Sequence, residues 1–337
     1  MTLTLPARVG ITAAGASLPE RVLDSADMEA RVAQASGLPI PPGTLQQMTG
    51  IATRRIAADD EYASTLAVRA ARQALARADL DPFDIDLLLF ASATRDIAEP
   101  ATAHIVQAEL GSRAHAVDVT NACNSFINGI DLARSMILAG RARRALVVTG
   151  ETPTRVIRWK VTDLEQAKTA FAGYTFGDAG AAVVVEPVAT GGILDIDTET
   201  ESEHWHIGGI FGGGSRHPRD EEYTYFQGDG RVLKSVFEKL GTGILDRLRL
   251  RTGMEYHDFA RVLVHQVTVR YLDRFVDITG VPRDKLEVTV GELGNVASAT
   301  LGVQLARITP DLRAGDRVLL IGLGGGVSVM TMVWEKS

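Results

Sequence analysis

The sequence predicts an α/β protein built from two copies of one unit, and three observations carry that expectation. Short, nearly continuous apolar runs such as Leu87-Leu88-Leu89-Phe90-Ala91 and Val262-Leu263-Val264 read as strands covered on both faces. They alternate with segments of helical periodicity. The order helix, strand, helix, strand running into helix, then two closing strands occurs in residues 64–185 and returns in residues 232–333, although the residues themselves differ. The expected division is 1–190 and 191–337.

In chain order, Val9 to Gly15 reads as a first strand, followed by a polar, proline-marked segment through Pro41-Pro42-Gly43 that the pattern leaves unassigned. Met48 to Ile56 reads as a turn into an edge strand. From Ser64, a capping residue, Leu66, Ala70, Ala74 and Leu75 mark an amphipathic helix to about Ala78. The strand Ile85 to Ala91, a loop through Arg95-Asp96-Ile97-Ala98-Glu99-Pro100 and a helix from Thr102 to Leu110 follow. His115 to Val119 is a strand that runs into a helix marked by Phe126, Ile130, Ala133 and Ile137 and stopped by Gly140. Arg144 to Gly150 and Ala179 to Val185 close the first half. After an irregular stretch from Gly191 to Gly230, Val232 to Leu250 reads as one long helix. A strand ends at His265, Val269 to Thr279 is a helix, and Leu286 to Val290 is a strand leading to a helix near Ala297. Arg317 to Gly322 and Val327 to Val333 are the closing pair.

Composition narrows the function. The chain of 337 residues can bury a large core, and 45% hydrophobic with 23% charged residues is ordinary for a globular protein. A formal charge of -7 offers no basic face for nucleic acid. The one cysteine excludes an intrachain disulfide and a multi-cysteine metal site, and fits a reducing cytoplasm. No apolar run approaches the roughly 18 to 20 residues of a membrane span, and Met1 to Arg8 lacks the features of a secretory signal. The expected location is the cytoplasm.

That cysteine, Cys123, stands where strand passes into helix. Unpaired N–H groups and the dipole at a helix N-terminus favour a thiolate, which suits a nucleophile; a small buried core residue is the competing reading. His265 and Asn295 fall at corresponding strand ends in the second half, where functional groups gather in α/β sheets. His265 can donate to a thioester oxygen or hold a proton, or simply cap a strand; Asn295 can offer its amide to the same oxygen, or simply make a Gly-Asn turn. His204 and His206, with His217 nearby, have a metal-like spacing but no cysteine or fixed carboxylate partner, so a loop is expected there and no metal site. Gly322-Leu323-Gly324-Gly325-Gly326 leads into a strand and lacks a following Lys-Ser/Thr, which excludes a phosphate loop.

Together these residues resemble the condensing enzymes of the thiolase superfamily, of the β-ketoacyl-acyl-carrier-protein synthase III type. The resemblance rests on Asp118-Val119-Thr120-Asn121-Ala122-Cys123, Phe176-Gly177-Asp178-Ala179-Gly180-Ala181-Ala182, His265-Gln266, Gly294-Asn295-Val296-Ala297-Ser298-Ala299, Gly324-Gly325-Gly326 and, more loosely, Thr49-Gly50-Ile51. These stand in family order across nearly the whole chain. The resemblance implies a thiolase-like fold, with duplicated α/β halves packed as five layers (α-β-α-β-α), in a homodimer. It implies Cys123 as the acyl-accepting nucleophile, His265 and Asn295 as the pair that handles the enolate, and a backbone oxyanion hole of Cys123 and Gly326. Two neutral donors suit an enolate oxygen in a dry site. The chemistry needs no metal and no organic cofactor.

Departures from the synthase III pattern separate subfamilies. The tryptophan and arginine that sandwich the coenzyme A adenine in such synthases have no counterparts between Gly43 and Met48, and Asp229-Gly230 replaces a glycine-asparagine pair; both weigh against acetyl-CoA priming. Lys234 and Arg270 keep basic character where carrier proteins or coenzyme A dock in the family, while Asp277 and Ile278 do not. The segment Ser92 to Pro100, with Asn121 to Gly129 and Gly150-Glu151-Thr152, is similar to the acyl-CoA condensing enzyme of olefin biosynthesis and to pyrone-forming ketosynthases. In that group a glutamate at the position of Glu99 crosses the dimer and removes an α-proton; an ordinary loop carboxylate is the alternative.

The expected function is an acyltransferase condensing two acyl thioesters, carried on coenzyme A or acyl carrier protein, by Claisen chemistry through acyl-Cys123, without decarboxylation and with medium or long chains. Decarboxylative condensation with a malonyl carrier protein in fatty-acid or polyketide synthesis, acyl transfer to an alcohol, and a non-catalytic subunit of a heterodimer are the alternatives.

Overall fold

A computed structural model describes residues 8–240 and 242–337. Five strands, β1 (Val9–Ser17), β2 (Leu87–Ala91), β3 (His115–Val119), β4 (Ala145–Glu151) and β5 (Ala179–Pro187), form one sheet in the order β1-β5-β4-β2-β3. A second sheet holds β6 (Gly192–Thr200), β7 (Arg261–Val264), β8 (Arg317–Gly324) and β9 (Ser328–Glu335) in the order β6-β9-β8-β7. Apart from β3, which has no counterpart strand, the two sheets share one topology: β4 runs parallel to β2 and antiparallel to β5, as β8 does to β7 and β9. We propose the division between halves at 190/191, in the turn joining β5 to β6.

The layering follows from period-2 burial of apolar strands. Leu87, Leu89 and Ala91 of β2 face one core, while Leu88 and Phe90 face another beneath α1 (Ala63–Ala78) and α2 (Thr102–Leu110). In the second sheet Val318 and Leu320 face the shared core, and Leu319, Ile321 and Leu323 face outward. Helix α3 (Ser125–Leu138) lies with α7 (Ala299–Ile308) between the sheets. The remaining outer layer comprises α4 (Gly230–Leu240), α5 (Gly243–Thr252) and α6 (Val269–Thr279), so the five expected layers are present. Nearly every residue of α7 is buried, as expected of a helix packed on all sides.

Four expectations change. Leu286 to Val290 is not a strand: Leu286 makes a single bridge to Val262, and Val290–Leu293 is a helical turn. Side chains replace the ladder there. Gln266 Oε1 accepts from the Thr289 and Val290 N–H groups (2.9 and 3.0 Å), and Gln266 Nε2 donates to the Glu287 carbonyl at 2.7 Å. The single helix over 232–250 is two, α4 ending at Leu240 and α5 beginning at Gly243. The stretch after Gly191 is not wholly irregular, since it opens with β6. Asp195, Asp197 and Glu199 disguise that edge strand, and they pair with Arg247 and Arg251 of α5. The unassigned segment holds helices Ser25–Ser36 and Thr44–Thr49, and Tyr62 rather than Ser64 stands at the N-cap position of α1. Thr53–Arg55 is an edge strand as expected, paired with Val22–Asp24.

The central layer is packed without slack. A Cβ added to Gly302 of α7 would stand 2.4 Å from Ala181 Cβ and 2.9 Å from the Phe126 ring. In an open helix Gly→Ala stabilises by about 1 kcal/mol; here overpacking reverses the sign, and Gly302→Ala should destabilise by about 1–3 kcal/mol in urea unfolding. A raised midpoint would show that the helices can separate freely.

Candidate active site

Cys123 is positioned by a tight turn between β3 and α3. Ser125 Oγ accepts from the Asn121 N–H at 2.8 Å and donates to the Ala122 carbonyl at 2.7 Å. Ala122 takes a left-handed φ of 47°, a conformation costing about 1–3 kcal/mol in a non-glycine residue. Asn124 holds it there: its Nδ2 donates to the Ser328 carbonyl (3.0 Å) and hydroxyl (2.8 Å). The glycine run has its reason here, because a Cβ on Gly322 would lie 2.2 Å from Asn124 Oδ1. At the end of β8 the backbone N–H of Gly325, together with that of Cys123 itself, is directed at the Cys123 sulfur. Gly325 therefore stands where Gly326 was expected. Gly326, the next residue, has a left-handed φ of 77°.

The thiol is not the resting thiolate that a helix N-terminus suggests. Burial, reinforced by the negative charge of Glu151, pushes Cys123 up to about 12, against the pull of the two backbone N–H groups. Cys123 keeps some exposed surface, yet desolvation of the sulfur outweighs the helix terminus.

His265 follows β7 directly, its backbone N–H bonded to the Ile321 carbonyl at 3.0 Å. Burial drives its pKa down to about 4, only partly offset by a backbone hydrogen bond with Ala297, so the imidazole is neutral near pH 7. Its Nδ1 is buried with no partner among the described residues. Asn295 is fixed by Phe176-Gly177: its N–H donates to the Thr175 carbonyl (2.8 Å) and its carbonyl accepts from the Gly177 N–H (3.1 Å). Two motifs far apart in sequence are thus one bridge, Phe176 to Asn295. Asp178 secures the same place, accepting from the Ala57 and Thr154 N–H groups and the Thr154 hydroxyl; burial raises it to about 6. Asn295 Oδ1 accepts from the Ala297 N–H at 3.0 Å, which leaves the side-chain NH2 as the end that can serve a ligand. Ala297 has the same φ of 47° as Ala122, so both central helices begin alike.

Other expected residues lie elsewhere. Glu99 is exposed, on the loop between β2 and α2, and is not buried with Cys123, His265 and Asn295 of its own protomer. Lys234 is exposed on α4 beside Glu238 (3.7 Å), which also binds Arg274, and exposed Arg270 donates to the Gln47 carbonyl at 2.8 Å. Asp229 caps α4 by accepting from the Arg231 and Val232 N–H groups. Among the described residues Glu201, Glu203 and His204 form one cluster of metal-ligating type, at the surface; His206 and His217 stand apart from it. Sequence reading missed Glu151 as a site residue. An acid closing the otherwise apolar run of β4 was the signal.

Comparison with known proteins accords with this geometry. The 3-oxoacyl-[acyl-carrier-protein] synthase III family matches residues 117–202, and its C-terminal region matches residues 250–336. A β-ketoacyl-[acyl-carrier-protein] synthase III of Symbiobacterium thermophilum is 35% identical over 341 residues, covering 97% of this chain and 98% of its own. One from Roseiflexus sp. strain RS-1 is 33% identical over 329 residues, covering 94% and 95%. The chain belongs to the synthase III family.

As a member it is an acyltransferase, a condensing enzyme of fatty-acid biosynthetic type with the thiolase fold. Among solved structures, Xanthomonas campestris OleA is similar with a TM-score of 0.87 at 27% identity, covering 99% of this chain and 100% of that one. FabH of Xanthomonas oryzae pv. oryzae gives 0.87 at 29%, covering 98% and 100%. No helix among the described residues is long and apolar enough to cross a membrane.

With the thiol raised to about 12, iodoacetamide labelling of Cys123 should accelerate about tenfold per pH unit from pH 6 to 9 without a plateau. A plateau setting in near pH 8 would mean that the two N–H groups outweigh burial.

Proposed function

We propose that the enzyme joins two acyl thioesters by a Claisen condensation without decarboxylation, through acyl-Cys123. The observation carrying the condensation is the pair of neutral donors, His265, held uncharged by burial, and Asn295, whose amide oxygen is already occupied; the choice against decarboxylation rests on Glu99. In the first step the Cys123 sulfur attacks the thioester carbon, the N–H groups of Cys123 and Gly325 receive the oxyanion, and the C–S bond to coenzyme A or the carrier breaks, the departing thiolate taking up the proton that Cys123 gives up. In the second step His265 and Asn295 donate to the enolate oxygen of the second thioester, whose α-carbon attacks acyl-Cys123 and releases the thiol.

An α-proton of an unactivated thioester needs a base, and Glu99 is proposed for it, acting in the partner's site. Its exposure on the loop between β2 and α2 supports this. So does a spacing: the cysteine and histidine substituted in two OleA structures stand the same number of residues apart as Cys123 and His265. A glutamate is substituted in another, and it precedes that cysteine by two residues more than Glu99 precedes Cys123. A structure of OleA is described with lauric acid and lauroyl-CoA, which supports acyl-CoA substrates of medium or long chain here. The homodimer is proposed from the free edge of β3 and the neighbouring face of α3, where Leu132 is 40% exposed one turn beyond Asn128, which binds Asn121. Lys234 and Arg270 are proposed for docking of coenzyme A or a carrier protein, and the cytoplasm as location. The decarboxylative alternative, with a malonyl carrier protein, has the names of the curated relatives in its favour.

Intact-mass measurement should show one acyl group added by acyl-CoA donors and none in Cys123→Ala. His265→Ala and Asn295→Ala should acylate but fail to condense, because they act on the second oxygen; failure to acylate in a folded variant would refute that division. Glu99→Gln should acylate normally and lose condensation of two acyl-CoAs. Mixing Glu99→Gln with Cys123→Ala protomers should restore about a quarter of the sites by random pairing in a two-site homodimer. Full condensation by Glu99→Gln would transfer the reading to malonyl chemistry.

A further inference from the structure

Glu151 is a completely buried carboxylate at the end of β4, and the reaction as described leaves it without a task. A buried charge is costly unless hydrogen bonds compensate it, so its partners reveal what it holds. Oε1 accepts from the Ala93 N–H at 2.7 Å and from the Ser298 hydroxyl. Oε2 accepts from the Thr94 N–H at 3.0 Å and the Thr94 hydroxyl at 2.7 Å. Every recorded partner donates, an arrangement that favours the ionised carboxylate in opposition to burial, which raises its pKa. Three of the four donors belong to residues 93 and 94, the root of the loop that carries Glu99.

The rest of that loop is tethered more lightly. Asp96 accepts from the Ser64 N–H at 3.1 Å, and its own N–H reaches the Thr102 hydroxyl at 3.3 Å. Between these ties Ile97, Ala98, Glu99 and Pro100 are exposed. The position of these exposed residues is therefore set from the loop root at residues 92–96. Ser298, the fourth donor, follows Ala297, which bonds both His265 and Asn295. One carboxylate thus joins the loop root to the start of α7.

We propose that Glu151 is the positioning residue of Glu99, holding the loop root in register with the start of α7 so that the exposed carboxylate arrives at the partner's acyl chain in a reactive geometry. This rests on the reading of Glu99 as base. Glu151 does not touch substrate; it acts through the Ala93-Thr94 backbone.

The test is Glu151→Gln in the intact assembly, which keeps the size but places an NH2 against donors. Hydrogen exchange should quicken in the peptide spanning 92–100 while α3 and β5 stay protected. Acylation of Cys123 should persist, and condensation should fall by roughly a hundredfold, the scale of a small misplacement of a reacting group. Adding Glu151→Gln to Glu99→Gln should cost nothing further, since both remove one function. Thr94→Val, which deletes a single donor, should give a smaller change of the same kind if Glu151→Gln does not fold. Unchanged exchange at 92–100, or loss of acylation equal to the loss of condensation, overturns the proposal. Full activity in Glu99→Gln alone overturns the base reading instead, and the exchange measurement then decides the loop-holding role by itself.

Discussion

The contact of Asn124 with β8 and Ser328 is the constraint on which the site depends. It drives the start of α3, from the first half, into the strand pair of the second half, and it needs Gly322 on the receiving strand to do so. With that contact made, Ala122 stays in its left-handed turn and the amides of Cys123 and Gly325 meet at one sulfur. Neither half could assemble this alone. The start of α7 repeats the device, with Ala297 in the same conformation, and there it serves His265 and Asn295. Duplication has thus supplied two similar helix starts in one central layer, each adapted to a different part of the site.

The electrostatics of this centre are those of desolvated groups beside one buried carboxylate, Glu151. Burial raises the thiol and lowers the imidazole, so near neutral pH the proton stays on sulfur and off nitrogen. Fixed dipoles directed at a developing oxyanion act strongly in such surroundings because little solvent screens them. The depressed His265 also links stability to pH. The unfolded chain takes up a proton as pH falls from about 6.5 towards 4 and the folded chain does not, so stability is lost across that window.

Much of the layering was legible because it rests on local patterns. The helices Thr102–Leu110 and Val269–Thr279 and the strand His115–Val119 have the limits read from apolar period and glycine stops. The elements that escaped are those whose pattern is completed by partners distant in sequence. Acidic β6 is neutralised by arginines about fifty residues later, a separation visible only once the sheet is folded. The segment after Leu286 has strand-like residues, yet Gln266 and Gln304 occupy the backbone groups a strand would use.

By itself the sequence determined the α/β class, the duplication, and Cys123, His265 and Asn295 as candidates, because apolar period and residue type at strand ends are local properties. Only the tertiary structure decided the protonation of Cys123, since desolvation depends on everything packed around the sulfur. It alone brought the Gly325 N–H to the Cys123 sulfur, because the direction of an N–H follows from φ and ψ and not from a motif. It alone gave Glu151 its place, since the groups that compensate the buried charge come from two parts of the chain far from it and from each other, residues 93–94 and Ser298.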